Sequence, residues 1–230
     1  MIRVIAFDLD DTLWDVNTVI FRAEKLLNTW FSDRVPGFDY DMRNMGRFRH
    51  EVVAKEPHLA GRVTDLRYRV IEKALSAHGV GEADSIAREA MELFLEARNQ
   101  IEFFEGALET IATVAREYQL GALTNGNADI KRLGLSEFFS FAFSAEDVGA
   151  PKPAPDLFHA ALEHTGCEPV EMVYVGDDPI KDIDTANTVG LRTVWLSNER
   201  RPGPGETEPD EVIGDISELP VAIRKLQSLE

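Results

Sequence analysis

Five short, apolar runs separated by helical patterns, the first of them rich in β-branched residues, constrain this chain more than any other feature. They fall at residues 2–7, 120–123, 139–143, 172–175 and 193–196. A strand that is apolar at nearly every position is buried on both faces, as in a parallel sheet covered by helices. Helical patterns over 107–118, 128–133, 154–165 and 180–189 lie between these runs. Alternation of this kind demands right-handed crossovers and predicts a doubly wound, Rossmann-like parallel α/β sheet. In such a sheet, ligands bind at the carboxyl ends of the strands.

Residues 16–103 break the rhythm. They contain no convincing strand, only amphipathic segments at 19–31, 42–55, 64–78 and 85–98, broken at Val35-Pro36-Gly37, at 57–61 and at Gly79-Val80-Gly81. The pattern predicts an α-helical bundle inserted as a cap, with residues 1–15 and 104–230 forming the core. The chain has 230 residues and a formal net charge of −17. Residues 16–103 are nearly balanced, so most of the excess lies in the core; the basic stretch 43–73, with His50 and His58, reads mainly as solvated helix surface. Such acidity argues against nucleic acid or an anionic membrane as partner. Cys167 is the single cysteine, which excludes an internal disulfide. No apolar run is long enough to span a bilayer, and the N-terminus turns acidic within ten residues, so a cytoplasmic enzyme is expected. Residues 198–211, rich in proline, glycine and charge, are expected to form a mobile loop before a last helix at 220–226.

Four motifs follow the predicted strands. Asp8-Leu9-Asp10-Asp11-Thr12-Leu13 comes directly after the first, and strand alternation puts Asp8 and Asp10 on one side. Two carboxylates so close are costly unless a cation or a proton separates them. A helix-capping turn at Asp11 or Thr12 is the bland alternative. A calcium loop is excluded, because Leu13 stands where that loop needs glycine. Thr124-Asn125-Gly126 after the second strand suggests a hydroxyl and backbone N–H groups at a helix N-terminus, or simply a turn. Lys152, between Pro151 and Pro153, is an ammonium on a stiffened loop, suited to an anion or merely exposed. Gly176-Asp177-Asp178-Pro179 opens another helix, with Asp182 one turn on; its carboxylates suit a divalent cation or a helix cap. Each bland reading is tolerable alone, but four in order along one sheet edge are not.

The set resembles the haloacid dehalogenase-like hydrolase superfamily: Asp8-x-Asp10-x-Thr12, Thr124, Lys152 and Gly176-Asp177-x4-Asp182, with residues 16–103 in the place of its helical cap. Within it, FDLDDTLWD, LTNGNADI, PKPAPDLF and YVGDDPIKDI are similar to bacterial flavin mononucleotide phosphatases, which also act on 5-amino-6-(5-phospho-D-ribitylamino)uracil. The resemblance implies a Mg²⁺-dependent phosphatase for a small-molecule phosphate ester, with Asp8 as nucleophile and Asp10 as acid and base. It implies Mg²⁺ held by Asp8, the Asp10 carbonyl and Asp177, with Asp178 and Asp182 behind them as second-layer groups. Thr12, Thr124, Asn125 and Lys152 would hold the phosphoryl group or its surroundings, and Lys152 would keep Asp8 ionised. Trp14 is expected near the rest of the substrate. Pyrimidine nucleotidase, sugar-phosphate phosphatase or mutase, and an idle binding module remain alternatives; a haloacid dehalogenase is disfavoured, because the family's dehalogenases lack the second aspartate represented here by Asp10. Oligomeric state, monomer or weak dimer, is not legible.

Overall fold

The computed structural model describes residues 1–197, 203 and 205–228. They form two compact units, Met1–Asp15 with Glu102–Glu230, and Val16–Ile101. The first unit holds a six-stranded sheet, β1 (Val4–Phe7), β2 (Gln119–Thr124), β3 (Phe139–Ser144), β4 (Met172–Gly176), β5 (Arg192–Leu196) and β6 (Glu211–Ile213). All neighbours pair parallel in the order β3-β2-β1-β4-β5-β6. The chain leaves β1 toward β2 on one side and later returns to β4 on the other. That reversal opens the sheet edge between β1 and β4, where doubly wound folds bind ligands.

Every residue of β1 and β4 is buried, as their unbroken apolar sequence requires. One side of the sheet is a core of Val4, Ala6, Leu123, Phe141, Leu157, Phe158, Met172 and Tyr174, among others. At Gly121 the side chain must be absent: a Cβ there would lie 2.0 Å from the Phe141 ring. Phe141 is thus packed directly onto the β2 backbone.

The second unit contains the four long helices α1 (Val16–Arg34), α2 (Met42–Lys55), α3 (Val63–Ala77) and α4 (Ala83–Arg98). In α1 the buried positions are Val19, Ala23, Leu27 and Phe31, a stripe at helical spacing. Phe31 is the hub of an aromatic cluster with Trp30, Phe38 and Tyr40. Part of the basic stretch is paired within this unit: Arg67 with Glu24, Arg69 with Glu56 and Glu72, and Lys73 with Glu51.

The remaining helices belong to the sheet unit: α5 (Ala107–Val114), α6 (Ala145–Val148), α7 (Asp156–Thr165), α8 (Thr185–Val189) and α9 (Leu219–Ser228). Three expectations are corrected here. Residues 128–133 form turns rather than a helix, because the segment is too short to nucleate one around Gly134, whose φ is 72°. The apolar segment after residue 211 contains a sixth strand, β6, which the tail pattern alone did not indicate. The loop expected to be mobile over 198–211 lies partly outside the described residues, but its described half is anchored. The Asp184 carboxylate accepts from the N–H groups of Glu206 and Thr207 at 2.9 and 2.8 Å, and Asp210 accepts from Thr193 N–H at 2.8 Å.

Filling the Gly121 contact would force Phe141 off the sheet. Gly121→Ala is expected to lower the unfolding free energy by about 1–3 kcal/mol, read from urea unfolding; an unchanged midpoint would contradict this packing.

Candidate active site

Asp8 is the first residue beyond β1, and its N–H still donates to Val175 O of β4 at 2.9 Å. The parallel register, with Phe7 opposite Val175, therefore sets Asp8 beside Gly176. Asp8, Lys152, Asp177 and Asp182 are all buried. One carboxylate oxygen from each of Asp8, Asp177 and Asp182 lies within 4.8 Å of the others.

One ammonium stands among them. Lys152 Nζ donates to Asp8 Oδ1 and to Asp182 Oδ1, both at 2.7 Å. It also lies 3.0 Å from Leu123 O and 2.5 Å from the Tyr174 hydroxyl. Its loop is fixed from below by Asn125, whose side chain accepts from Lys152 N–H at 2.7 Å and donates to Lys152 O at 2.8 Å. The Lys152–Pro153 peptide is cis. Asn125 is thus seated on the lysine loop through its side-chain amide. Thr124, the last residue of β2, accepts from Gly126 N–H at 2.9 Å. No helix follows it, so the helix N-terminus expected behind Thr124 is absent.

Asp10 and Trp14 share the tight turn after Asp8. Asp11 has a φ of 61°, and its N–H donates to Trp14 O while Leu13 N–H donates to Leu9 O. Helix α1 starts only at Val16, so neither Asp11 nor Thr12 caps it. Thr12 is buried, with its hydroxyl 3.4 Å from Asp177 Oδ1. Trp14 is fully buried, and its indole N–H donates to Asp10 Oδ1 at 2.8 Å. This corrects the expectation that Trp14 faces substrate: the ring packs edge-on against Phe103 and its polar tip orients Asp10.

The Gly176 motif is held just as tightly. A Cβ at Gly176 would fall 2.5 Å from the Asp182 carboxyl carbon, so only glycine lets that carboxylate reach the cluster. Asp182 Oδ2 accepts from Asp178 N–H at 2.9 Å. Asp178 caps the π-helical segment Pro179–Asp184 by accepting from Ile180 and Lys181 N–H, and it pairs with Lys181 at 3.1 Å. The Trp195 indole N–H donates to Asp177 O at 3.0 Å. Tyr174 and Trp195 are the site residues that motif reading missed. The available signal was a polar-tipped aromatic in a strand otherwise buried on both faces.

Burial pushes the Asp8 carboxyl well above the ordinary carboxylate value of 3.8; Lys152 opposes this, while Asp182 and Asp177 add to it. Lys152 thus works in the expected direction, favouring the ionised form of Asp8, while burial and the neighbouring carboxylates work against it. Burial also works against the Lys152 ammonium, but Asp182 and Asp8 outweigh it and raise Lys152 to about 12. The site is an excess of buried negative charge, and its hard oxygen donors fit a divalent cation such as Mg²⁺ or Ca²⁺.

A family model for haloacid dehalogenase-like hydrolases matches residues 2–190. The chain belongs to that family and is a hydrolase. It is 33% identical over 201 residues to the 5-amino-6-(5-phospho-D-ribitylamino)uracil phosphatase YigB of Escherichia coli, covering 86% of this chain and 84% of that one. It is 36% identical over 167 residues to a phosphoserine phosphatase of Thermus thermophilus, covering 70% and 66%. The crystal structure of a 2-haloacid dehalogenase from Pseudomonas syringae pv. Tomato superposes with a TM-score of 0.93 at 36% identity, covering 98% of this chain and 99% of that one.

A carboxyl raised in the folded state holds a proton that the unfolded chain has released, so folding loses stability as pH climbs from 3.8 through the raised value, and the penalty is complete above it. The neutral isostere removes that penalty. With a chelator present at pH 7, Asp8→Asn is expected to unfold at the same or a higher urea concentration than wild type. A loss above about 1 kcal/mol would show instead that Asp8 is a stabilising anion.

Proposed function

We propose that this protein is a Mg²⁺-dependent phosphatase that hydrolyses a small-molecule phosphate monoester through an aspartyl-phosphate on Asp8. The observation that carries the reading is the second carboxylate, Asp10, held by the Trp14 indole N–H at 2.8 Å outside the Lys152 cluster. A halide leaves as a stable anion and needs no proton, whereas an alcohol does. A positioned Asp10 therefore favours phosphate esters over haloacids, despite the dehalogenase whose crystal structure this fold matches so well.

In this reading Asp8 attacks phosphorus in line while Asp10 protonates the departing alcohol oxygen. Asp10, now a carboxylate, then takes a proton from the water that cleaves the acyl-phosphate and returns Asp8 to its starting form. Lys152 and Asp182 fix the direction of the Asp8 carboxylate, and Thr12 and Trp195 fix Asp177. Thr124 would face the phosphoryl oxygens, and Asn125 keeps the lysine loop in place. Asp8, Asp177 and the Asp10 carbonyl would hold the cation, with Asp178 and Asp182 behind them. When bound, Mg²⁺ offsets the repulsion between Asp8 and an anionic ester. The helical unit would choose the substrate as a cap.

The substrate class we favour is the ribityl phosphate of flavin mononucleotide or of 5-amino-6-(5-phospho-D-ribitylamino)uracil. Its support is the 33% identity to YigB across most of both chains. Such a phosphatase would serve riboflavin synthesis in the cytoplasm.

Ranking kcat/KM over flavin mononucleotide, the uracil precursor, phosphoserine, a pyrimidine nucleotide and a sugar phosphate tests the substrate. The flavin-pathway esters should lead by about tenfold or more, a difference expected from polar recognition; a flat profile would remove that assignment. Asp8→Asn should lower phosphate release at least about a thousandfold, as for loss of a covalent nucleophile. Chelation should abolish turnover and Mg²⁺ restore it. Halide release from 2-chloropropionate in place of phosphate release would overturn the phosphatase reading itself.

A further inference from the structure

An ammonium has three N–H donors, yet four oxygens surround Lys152 Nζ. They are Asp8 Oδ1 and Asp182 Oδ1 at 2.7 Å, Leu123 O at 3.0 Å and the Tyr174 hydroxyl at 2.5 Å. Lysine cannot accept, so the short contact to Tyr174 requires Lys152 to donate into the phenol oxygen. The phenol proton then has two places to go, Leu123 O at 3.1 Å and Asp182 Oδ1 at 3.3 Å. Only one assignment satisfies every group with its nearest partner. Lys152 donates to Asp8, Asp182 and Tyr174, and Tyr174 passes its own proton to the Leu123 carbonyl. Burial, followed by Asp182 and Asp8, pushes the Tyr174 phenol well above its ordinary value, so that proton stays in place.

We infer that Tyr174 is a positioning residue for the reaction: its hydroxyl takes the third proton of Lys152 and so aims the other two at Asp8 and Asp182. The inference rests on the phosphatase reading of this site. Tyr174 is fully buried in β4, on the same side of the strand as Gly176, and its ring packs edge-on against Phe158 at 4.8 Å. Without the hydroxyl, the ammonium turns toward the Leu123 carbonyl, which it already approaches. Nothing buried is then left without a partner, since three donors still meet three oxygens, but the shift toward Leu123 changes the direction of the hydrogen bond that reaches Asp8. The fold should therefore survive the change while the nucleophile's aim does not.

The test compares Tyr174→Phe with Phe158→Leu, which disturbs the same packing and keeps the hydroxyl. Steady-state hydrolysis of p-nitrophenyl phosphate with Mg²⁺ is measured beside urea unfolding. Tyr174→Phe should lower kcat about tenfold, the usual worth of a hydrogen bond to a charged group, with KM within about twofold and an unfolding midpoint close to wild type. Such a split marks an interaction made at the reacting atoms rather than in ground-state binding. Phe158→Leu should lose stability and keep its kcat. Full activity in Tyr174→Phe, a change confined to KM, or an equal kcat loss in Phe158→Leu would each overturn the inference. Absence of phosphatase activity in wild type would be a different failure, removing the reading on which the inference rests.

Discussion

Lys152 is one buried ammonium set among three buried carboxylates, and the carboxyl edge of the sheet is organised around that imbalance. Burying a charge is costly unless it is paired and hydrogen-bonded. Asp8 and Asp182 share the lysine, while the Thr12 hydroxyl lies 3.4 Å from Asp177 Oδ1. The polar groups nearby follow from this: Asn125 holding the lysine loop, Asp178 N–H on Asp182, Trp195 on the Asp177 carbonyl. Remove the ammonium and three buried carboxyl groups face one another without a counter-charge from the protein. Its raised affinity for its proton and the raised value of Asp8 are two sides of the same crowding.

That arrangement separates two jobs that a linear motif runs together. Asp8 lies inside the charge cluster, where burial and like neighbours perturb it. Asp10 lies two residues on, bound by the neutral indole of Trp14. In the proposed mechanism, a nucleophile whose charge must be managed and an acid that must exchange protons need different surroundings. The turn with Asp11 at a positive φ supplies both within three residues. Such a backbone conformation is strained for a side chain other than glycine and persists where neighbouring structure enforces it.

The four motifs and the doubly wound sheet were legible because apolar periodicity and charge placement are local facts. Residues 2–7 are a strand for the same reason that they read as one: each side chain of β1 is buried. The helices of 16–103 were legible through stripes such as Val19, Ala23, Leu27 and Phe31. What misled was context. The segment 128–133 has helical composition but is too short to nucleate a helix before Gly134, whose φ is 72°. Trp14 looked available because nothing in its flanks reports that Phe103, far away in sequence, covers it.

Sequence by itself determined which residues carry charge at the ends of which strands, and hence that carboxylates and an ammonium gather at one sheet edge. Tertiary structure decided how that charge is shared. Only the parallel register of β1 with β4 sets Asp8 beside Gly176, and only the missing Cβ of Gly176 admits Asp182. Only the return of β4 brings Tyr174 to the lysine that follows β3 by several residues. Hydrogen-bond partners separated by 22 and 144 positions leave no periodic trace in a chain. Proximity of that kind is a property of packing, and packing is decided by all the side chains together.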